Sequence, residues 1–384
     1  MNPPIRVLTV ITRLELGGAQ RVALHTASHL DRDVFDAGLA WGPGDVLDEE
    51  ARALTDVTRF EISSLVRPVS PMSDLRALAE LRSAIRRFQP DVVHTHSSKA
   101  GVLGRLAARL ENVPAVVHTV HGFGFTPLQS PIGRAAFFRA EKLAARWTNH
   151  FVAVSRVNLD RGVELGLWKA EEATVIRAGV DLDRFRAPGD GLGARRRLDL
   201  PEGVPLVTQI GNFKPQKAPL DFIRAAALMA EEVPDLRFVM VGDGPLRGEA
   251  EARAAELGLA GRVVFCGWWD DVPGLLAATT VSVLSSLHEG LPCSVVESLA
   301  AGVPVVATAV DGTPEVIRPG INGDLVPPGD PAALARAVVA ILADDQRRQS
   351  MAAAAADGLD DFGRDHMVRK LEELYRWMVG SNPC

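Results

Sequence analysis

Two carboxylates eight positions apart, Glu289 and Glu297, flank the run Gly290-Leu291-Pro292-Cys293-Ser294-Val295-Val296. The apolar run 280–287 before them reads as a buried strand. Gly290 permits a tight turn, and Pro292 suits the first turn of a helix that runs to Ala301 and closes at Gly302. Glu289 is thus expected at a helix entrance and Glu297 in the body of the same helix. Free N–H groups at a helix N-terminus after a parallel strand attract anions, and carboxylates accept protons from sugar or ribose hydroxyls. The combination points to a phosphate joined to a polyol, as in a nucleotide sugar. A capped surface helix with two solvated carboxylates fits the same spacing, so other residues must decide.

Several loops at predicted strand ends carry suitable groups. In Gly211-Asn212-Phe213-Lys214-Pro215-Gln216-Lys217, Lys217 is a compact charge able to meet a diphosphate. Gly242-Asp243-Gly244-Pro245 and Gly267-Trp268-Trp269 are glycine turns that let backbone approach a flat ligand, although the first lacks the full dinucleotide fingerprint. Asp311-Gly312-Thr313-Pro314-Glu315 adds a further turn and helix start. Gly17-Gly18-Ala19-Gln20 opens a helix after the first strand. His94 and His118 lie inside strands and read as satisfied core residues. His96 and His121 end strands, and His121, before Gly122-Phe123-Gly124-Phe125, is the better functional candidate. No metal is expected: Asp181-Leu182-Asp183 falls toward the interdomain linker, and a helix dipole with a lysine can offset diphosphate charge.

These loops need a scaffold that gathers strand ends. Apolar runs at 5–11, 37–41, 91–95, 115–120 and 151–154 predict strands, and amphipathic stretches at 19–30, 75–88, 100–110 and 131–147 predict helices. The scheme repeats with strands at 206–210, 237–241, 263–265, 281–285 and 304–307 and helices at 220–231, 246–257 and 293–301. Such alternation predicts parallel sheets covered on both faces. The expectation is an α/β chain of two doubly wound domains, with residues 1–190 the first, 191–360 the second, and a helix within 361–384 crossing back to the first. The Gly-, Pro-, Asp- and Arg-rich stretch 185–204 reads as a linker and the entry to the second domain.

The composition agrees. The 384 residues, 47% hydrophobic and 23% charged, are enough for two cores. A net charge of −6 implies no global attraction to nucleic acid. The charge is uneven: residues 1–190 carry a net +2 and the remainder −8, and residues 76–147 hold 11 basic against 4 acidic side chains. Cys266, Cys293 and Cys384 have neither metal-ligand spacing nor an even count, which suggests a reducing compartment. No apolar stretch approaches the roughly 20 residues of a membrane span. Cytoplasmic residence is expected, with peripheral contact on the inner face of a membrane left open.

The ordered set Gly17-Gly18, the His121-Gly122 loop, Gly211 with Lys217, Gly242-Asp243-Gly244-Pro245, and Glu289 with Glu297 followed by Ala301-Gly302-Val303-Pro304-Val305-Val306-Ala307-Thr308 resembles glycosyltransferase family 4. The resemblance covers nearly the whole chain. It implies a GT-B fold, two Rossmann-like domains facing across a cleft, and a retaining, metal-independent hexosyl transfer from a nucleotide sugar, most simply a UDP-sugar, that needs no other cofactor. It assigns Glu297 to the ribose, Glu289 to the donor sugar, backbone N–H groups of Gly290 and Leu291 to sugar and phosphate, and Lys217 to the diphosphate. His121 would meet the donor sugar or acceptor, and Gly18 would let the first loop approach the diphosphate and acceptor. Asn212, Gly242, Gly244 and Gly267 complete the donor-binding set. Asn212 stands where the family usually has Arg, which leaves Lys217, with Lys214, to carry the charge; Ala178 stands where Asn often precedes Gly179-Val180-Asp181.

The acceptor is expected to be a glycan or a lipid-linked glycan in polysaccharide assembly. The 131–147 stretch, with Arg134, Phe137, Phe138, Arg139, Lys142, Arg146 and Trp147, suits either an anionic membrane surface or ordinary helix packing. A sugar-nucleotide epimerase of the same architecture and a non-catalytic nucleotide-sugar-binding subunit are the alternative functions.

Overall fold

The computed structural model describes residues 3–125 and 129–381, so Cys384 lies outside the described residues. Two compact units emerge, one of residues 1–179 with 364–384 and one of residues 180–363. Among the described residues, the first holds a seven-stranded sheet of β1 (Ile5–Arg13), β2 (Phe35–Gly42), β3 (Thr58–Glu61), β4 (Val92–His96), β5 (Ala115–Val120), β6 (His150–Ala153) and β7 (Ala173–Val175). Its order is β3-β2-β1-β4-β5-β6-β7, and every pairing is parallel. The second holds β8 (Leu206–Ile210), β9 (Arg237–Val241), β10 (Val263–Gly267), β11 (Val281–Leu284), β12 (Val305–Thr308) and β13 (Gly323–Val326), ordered β10-β9-β8-β11-β12-β13, again all parallel. The two Rossmann-like domains expected from the alternation are therefore present.

The strands are short and apolar because both sheet faces are covered. In the first unit Leu8, Val10, Val93 and Val116 pack against Leu81, Ile85 and Phe88 of the helix Pro71–Phe88, whose apolar residues recur at helical spacing. That helix starts on a proline and ends at Gln89, held at φ 51°. In the second unit Phe222, Ile223 and Met229 of the helix Pro219–Glu232 close over Val207, Phe238 and Val283. Each such side chain contributes about 1.5–3 kcal/mol when withdrawn from water.

The stretch 185–204 is not a linker. Phe185 is buried at the end of the helix Leu182–Arg186, and a second helix, Gly191–Arg197, starts on Asp190, whose carboxylate accepts the Gly193 N–H at 2.7 Å. Glycine serves close approach here: a Cβ on Gly189 would lie 2.4 Å from the Pro273 carbonyl oxygen, and one on Gly191 2.9 Å from that of Ala277. These contacts fasten residues 180–190, expected in the first domain, to the helix Val272–Ala278 of the second unit.

The final helix, Arg364–Ser381, belongs to the first unit. Glu372 accepts the Asp31 N–H at 2.8 Å, and fully buried Tyr375 places its hydroxyl 2.5 Å from His94 Nδ1. His94 Nε2 meets Thr119 Oγ1 at 2.6 Å, so both ring nitrogens are satisfied. Removing one partner strands the other in the core. Tyr375→Phe is expected to destabilise the first unit by about 1–3 kcal/mol in urea unfolding; a wild-type midpoint would show that the bond contributes nothing.

Candidate functional site

A doubly wound sheet leaves its crevice where the strand order reverses, at the carboxyl ends of the two strands that part there. In the second unit these strands are β8 and β11, and the loops after them carry Lys217 and Glu289. The loops are stitched together. Leu287 N–H donates to the Gln216 carbonyl at 2.8 Å, the Gln216 amide donates to the His288 carbonyl at 2.9 Å, and Ser285 Oγ donates to the carbonyl of Lys217 at 2.9 Å. Ala218, next to Lys217, is held at φ 44°, and Asp311, which braces Glu289, at φ 41°. Each costs about 1 kcal/mol in an L-residue, which the surrounding bonds must outweigh.

Lys217 Nζ lies 2.5 Å from Glu289 Oε1, and the same oxygen accepts from Ser286 Oγ at 2.6 Å. The Glu289 backbone N–H donates to Asp311 Oδ2 at 2.6 Å. Glu289 is buried, and burial raises the pKa of the Asp311 carboxyl above its ordinary value despite that N–H. Lys217, expected to wait for a diphosphate, is thus already paired with the carboxylate expected to wait for a sugar. Gly290 and Leu291 follow directly and are buried. Pro292 is the N-cap of the helix Cys293–Ala300 and not its first residue, and Glu297 stands in that helix, half-buried. Burial and the nearby Glu297 push the Cys293 thiol up to about 12, which leaves it inert as a nucleophile.

The glycine turns pack on one another. The Gly211 N–H donates to Val241 O, Phe213 N–H to Asp243 O, and Gly242 N–H to Gly267 O at 2.8–3.0 Å. Gly242 has φ 125°, and a Cβ there would lie 2.2 Å from the Gly211 carbonyl oxygen; one on Gly244 would lie 2.8 Å from that of Phe213. Asn212 sits inside this stack, its carbonyl accepting from Lys214 N–H at 2.9 Å. Close approach of backbone to backbone, as well as to a ligand, explains these glycines.

The first unit reverses between β1 and β4. Thr12 Oγ1 and Ser97 Oγ join the two loops at 2.7 Å, with Ser97 at φ 63°. Gly18 is exposed and begins the helix Gly18–His29 without a side-chain cap. His121 ends β5, and its Nε2 lies 2.9 Å from Nδ1 of fully buried His96. His118 Nδ1 meets Thr95 Oγ1 at 2.9 Å, the core role expected of it. Burial lowers every one of these imidazoles: His121 to about 4, His94 to about 3 with help from His121, and His96 and His118 well below the ordinary value, the last also through Arg105. Fully buried Arg105 pairs with Glu141 of the helix Pro131–Ala145 at 2.7 Å. A cavity of about 230 Å³ lies alongside, walled by Val102, Leu103, Phe123, Phe125, Phe137 and His121.

Sequence reasoning missed Ser286, the Asp311 carboxylate, the His96 bond and the Arg105–Glu141 pair. Only Ser286-x-x-Glu289 carries a short-range signal; the rest pair residues 22 to 36 positions apart. Among the described residues no group of three or more His, Cys, Asp or Glu is placed to hold a metal ion.

Two family models match the chain: "Glycosyltransferase Family 4" over residues 16–184 and "Glycosyl transferases group 1" over residues 193–357. The chain is 33% identical over 374 residues, 95% of each protein, to the UDP-Gal:alpha-D-GlcNAc-diphosphoundecaprenol alpha-1,3-galactosyltransferase of Escherichia coli. It is 30% identical over 96% of its length and 97% of the other's to the lipopolysaccharide core biosynthesis glycosyltransferase LpsE of Rhizobium meliloti. Its fold matches that of Anabaena HepE, solved in complex with UDP-glucose, with a TM-score of 0.84 and 22% identity over 97% of this chain and 100% of that one.

The histidine cluster sets a pH dependence. In the unfolded chain each imidazole protonates near its ordinary pKa of about 6.5, whereas the folded unit resists down to about 4 or below. Unfolding then takes up protons, so stability is retained above pH 6.5 and lost as pH falls toward 4, by up to about 1.4 kcal/mol per imidazole per pH unit. Urea midpoints for the first unit should fall between pH 7 and pH 5; equal midpoints would contradict the buried neutral cluster.

Proposed function

The chain belongs to glycosyltransferase family 4, and from that premise we propose that it moves a hexosyl group from a UDP-sugar to a glycan acceptor carried on a lipid diphosphate, with retention and without a metal ion. The observation that carries this reading is the Lys217–Glu289 pair at the β8/β11 reversal, followed within four residues by a helix N-terminus and then by Glu297. A cation, a carboxylate and a helix N-terminus at one crevice match a diphosphate flanked by two polyols.

In this reading Glu297 accepts from the ribose hydroxyls, Gly290 and Leu291 offer backbone N–H groups to sugar and phosphate, and Glu289 accepts from the donor sugar. Lys217 exchanges part of its contact with Glu289 for the diphosphate. As the bond from the sugar's anomeric carbon to the diphosphate oxygen breaks, negative charge grows on the leaving group, and Lys217 with the helix N-terminus stabilises it. The acceptor hydroxyl forms its bond on the same face and passes its proton to the departing diphosphate oxygen, so the protein supplies neither nucleophile nor base. Asn212 brings no charge to this loop, and Lys217 carries most of the burden. His121 contacts the donor sugar or the acceptor, and Gly18 lets the first loop approach the diphosphate and acceptor. The name of the Escherichia coli relative, with its UDP-Gal donor and diphosphoundecaprenol acceptor, supports the choice of both substrates.

Transfer is tested with UDP-galactose and UDP-glucose on a lipid-diphosphate-linked N-acetylglucosamine, in EDTA, with products followed by mass spectrometry and anomeric configuration by NMR. Lys217→Ala should lower turnover by about 10²–10³-fold, the usual effect of removing one transition-state partner. Wild-type turnover in Lys217→Ala, or an inverted product, would overturn the mechanism.

The helix Pro131–Ala145 supports action at an anionic membrane surface. Ile132 is 85% exposed, Phe137 and Leu143 are also exposed, and Arg134, Arg139, Lys142 and Arg146 project beside them. Apolar groups flanked by cations suit a lipid interface. Among the described residues no helix is long and apolar enough to cross a membrane. The protein is expected to sediment with liposomes containing phosphatidylglycerol and not with neutral ones; equal recovery in both supernatants would rule this docking out.

A further inference from the structure

His96 contributes to no binding role assigned above, yet it is fully buried and bonded to His121, which with His118 lines the cavity. Its Nδ1 lies 2.9 Å from His121 Nε2, and its own Nε2 is buried with no hydrogen-bond partner among the described residues. A neutral imidazole carries one N–H donor and one lone-pair acceptor, so this bond has two possible forms. If His121 Nε2–H donates, the His96 proton must sit on Nε2, where it is a buried N–H facing no acceptor. If His96 Nδ1–H donates, the unpartnered Nε2 is only a lone pair. Orphaned buried N–H groups are the rarer and costlier defect. Protonation of both His96 nitrogens is opposed by burial, which lowers the His96 pKa well below its ordinary value, and by the neighbouring His94 ring, tilted against it with centroids 4.3 Å apart.

We propose that His96 is a positioning residue: by donating Nδ1–H to His121 Nε2 it fixes His121 as the Nδ1–H tautomer, a permanent hydrogen-bond donor to an oxygen of the bound sugar or acceptor. The second clause rests on the reading of His121 as a substrate contact; the first does not. His121 is thereby removed as a general base, because its free nitrogen carries the proton. The ring sits in a polar chain that ends at His96, whereas in the adjacent chain from Tyr375 through His94 to Thr119 both nitrogens of His94 are bonded.

The test uses the full-length protein labelled with ¹⁵N-histidine, whose nine imidazoles give a resolvable set, with His121→Gln to assign the signal. Wild type should show His121 protonated at Nδ1 with Nε2 bare; protonation at Nε2 overturns the proposal. His96→Leu should release His121 to the other tautomer or a mixture, with unshifted signals of His150, whose Nε2 lies 2.8 Å from Thr174 Oγ1, reporting an intact first unit. His96→Asn, whose side-chain amide reaches the position of His Nδ1, should restore the Nδ1–H form. In the transfer assay His96→Leu should lower kcat/KM about tenfold, the size of one hydrogen bond of about 1.4 kcal/mol, with UDP binding unchanged, and His96→Asn should recover most of it. Equal losses in both variants, or full activity in His96→Leu, would overturn the role of the tautomer. A wild-type protein inactive on every acceptor would refute the substrate reading while the NMR arm still decides the tautomer.

Discussion

A parallel sheet covered on both faces has room for polar chemistry only at its ends. The central strands of both units are buried and mostly apolar, and helices close over both sides, so ionisable groups inside the sheet must be neutralised or bonded. The consequence is visible in β4 and β5, where His94 and His118 are held by Tyr375, Thr119 and Thr95. It is visible again at β8 and β11, where the strands give out and Lys217, Ser286 and Glu289 gather within hydrogen-bond reach. The reversal of strand order makes this crevice by parting two neighbouring loops, and the side chains follow from that topology.

The Lys217–Glu289 pair holds a buried carboxylate at the β8/β11 reversal. A buried carboxylate without a partner would be costly, and a lysine across a 2.5 Å contact removes most of that penalty. The Ser286 hydroxyl and the Asp311 carboxylate fix the geometry from two further directions. A cation beside a carboxylate agrees with the proposed donor, which brings both hydroxyl donors and phosphate acceptors.

The two units solve different problems with the same scaffold. The second concentrates backbone N–H groups, a cation and carboxylates at its reversal, and packs its glycine turns so tightly that side chains are excluded. The first buries four imidazoles in a neutral cluster, adds the Arg105–Glu141 pair, and surrounds its cavity with apolar walls. The long final helix returns to the first unit, where Tyr375 completes the bonding of His94, so the last residues of the chain stabilise some of the first strands.

Much of this was legible in the sequence because it is periodic or local. Alternating apolar runs and amphipathic stretches mark the long central strands and helices, since burial on both faces forces a continuous apolar strand. The run from Glu289 to Glu297 declares a strand end, a turn and a helix start within a few residues, and the family resemblance follows from such local motifs. The edge strands β3, β7 and β13 are three or four residues long and partly exposed, too short to establish a pattern. The stretch 185–204 looks like a linker because glycine and proline mark loops and close helix packing alike. Tertiary structure alone decided that Lys217 faces Glu289, that Asp311 braces it, and that His96 holds His121. Those pairs join residues 22 to 72 positions apart, and their contact depends on which strands lie side by side, which neither spacing nor composition records.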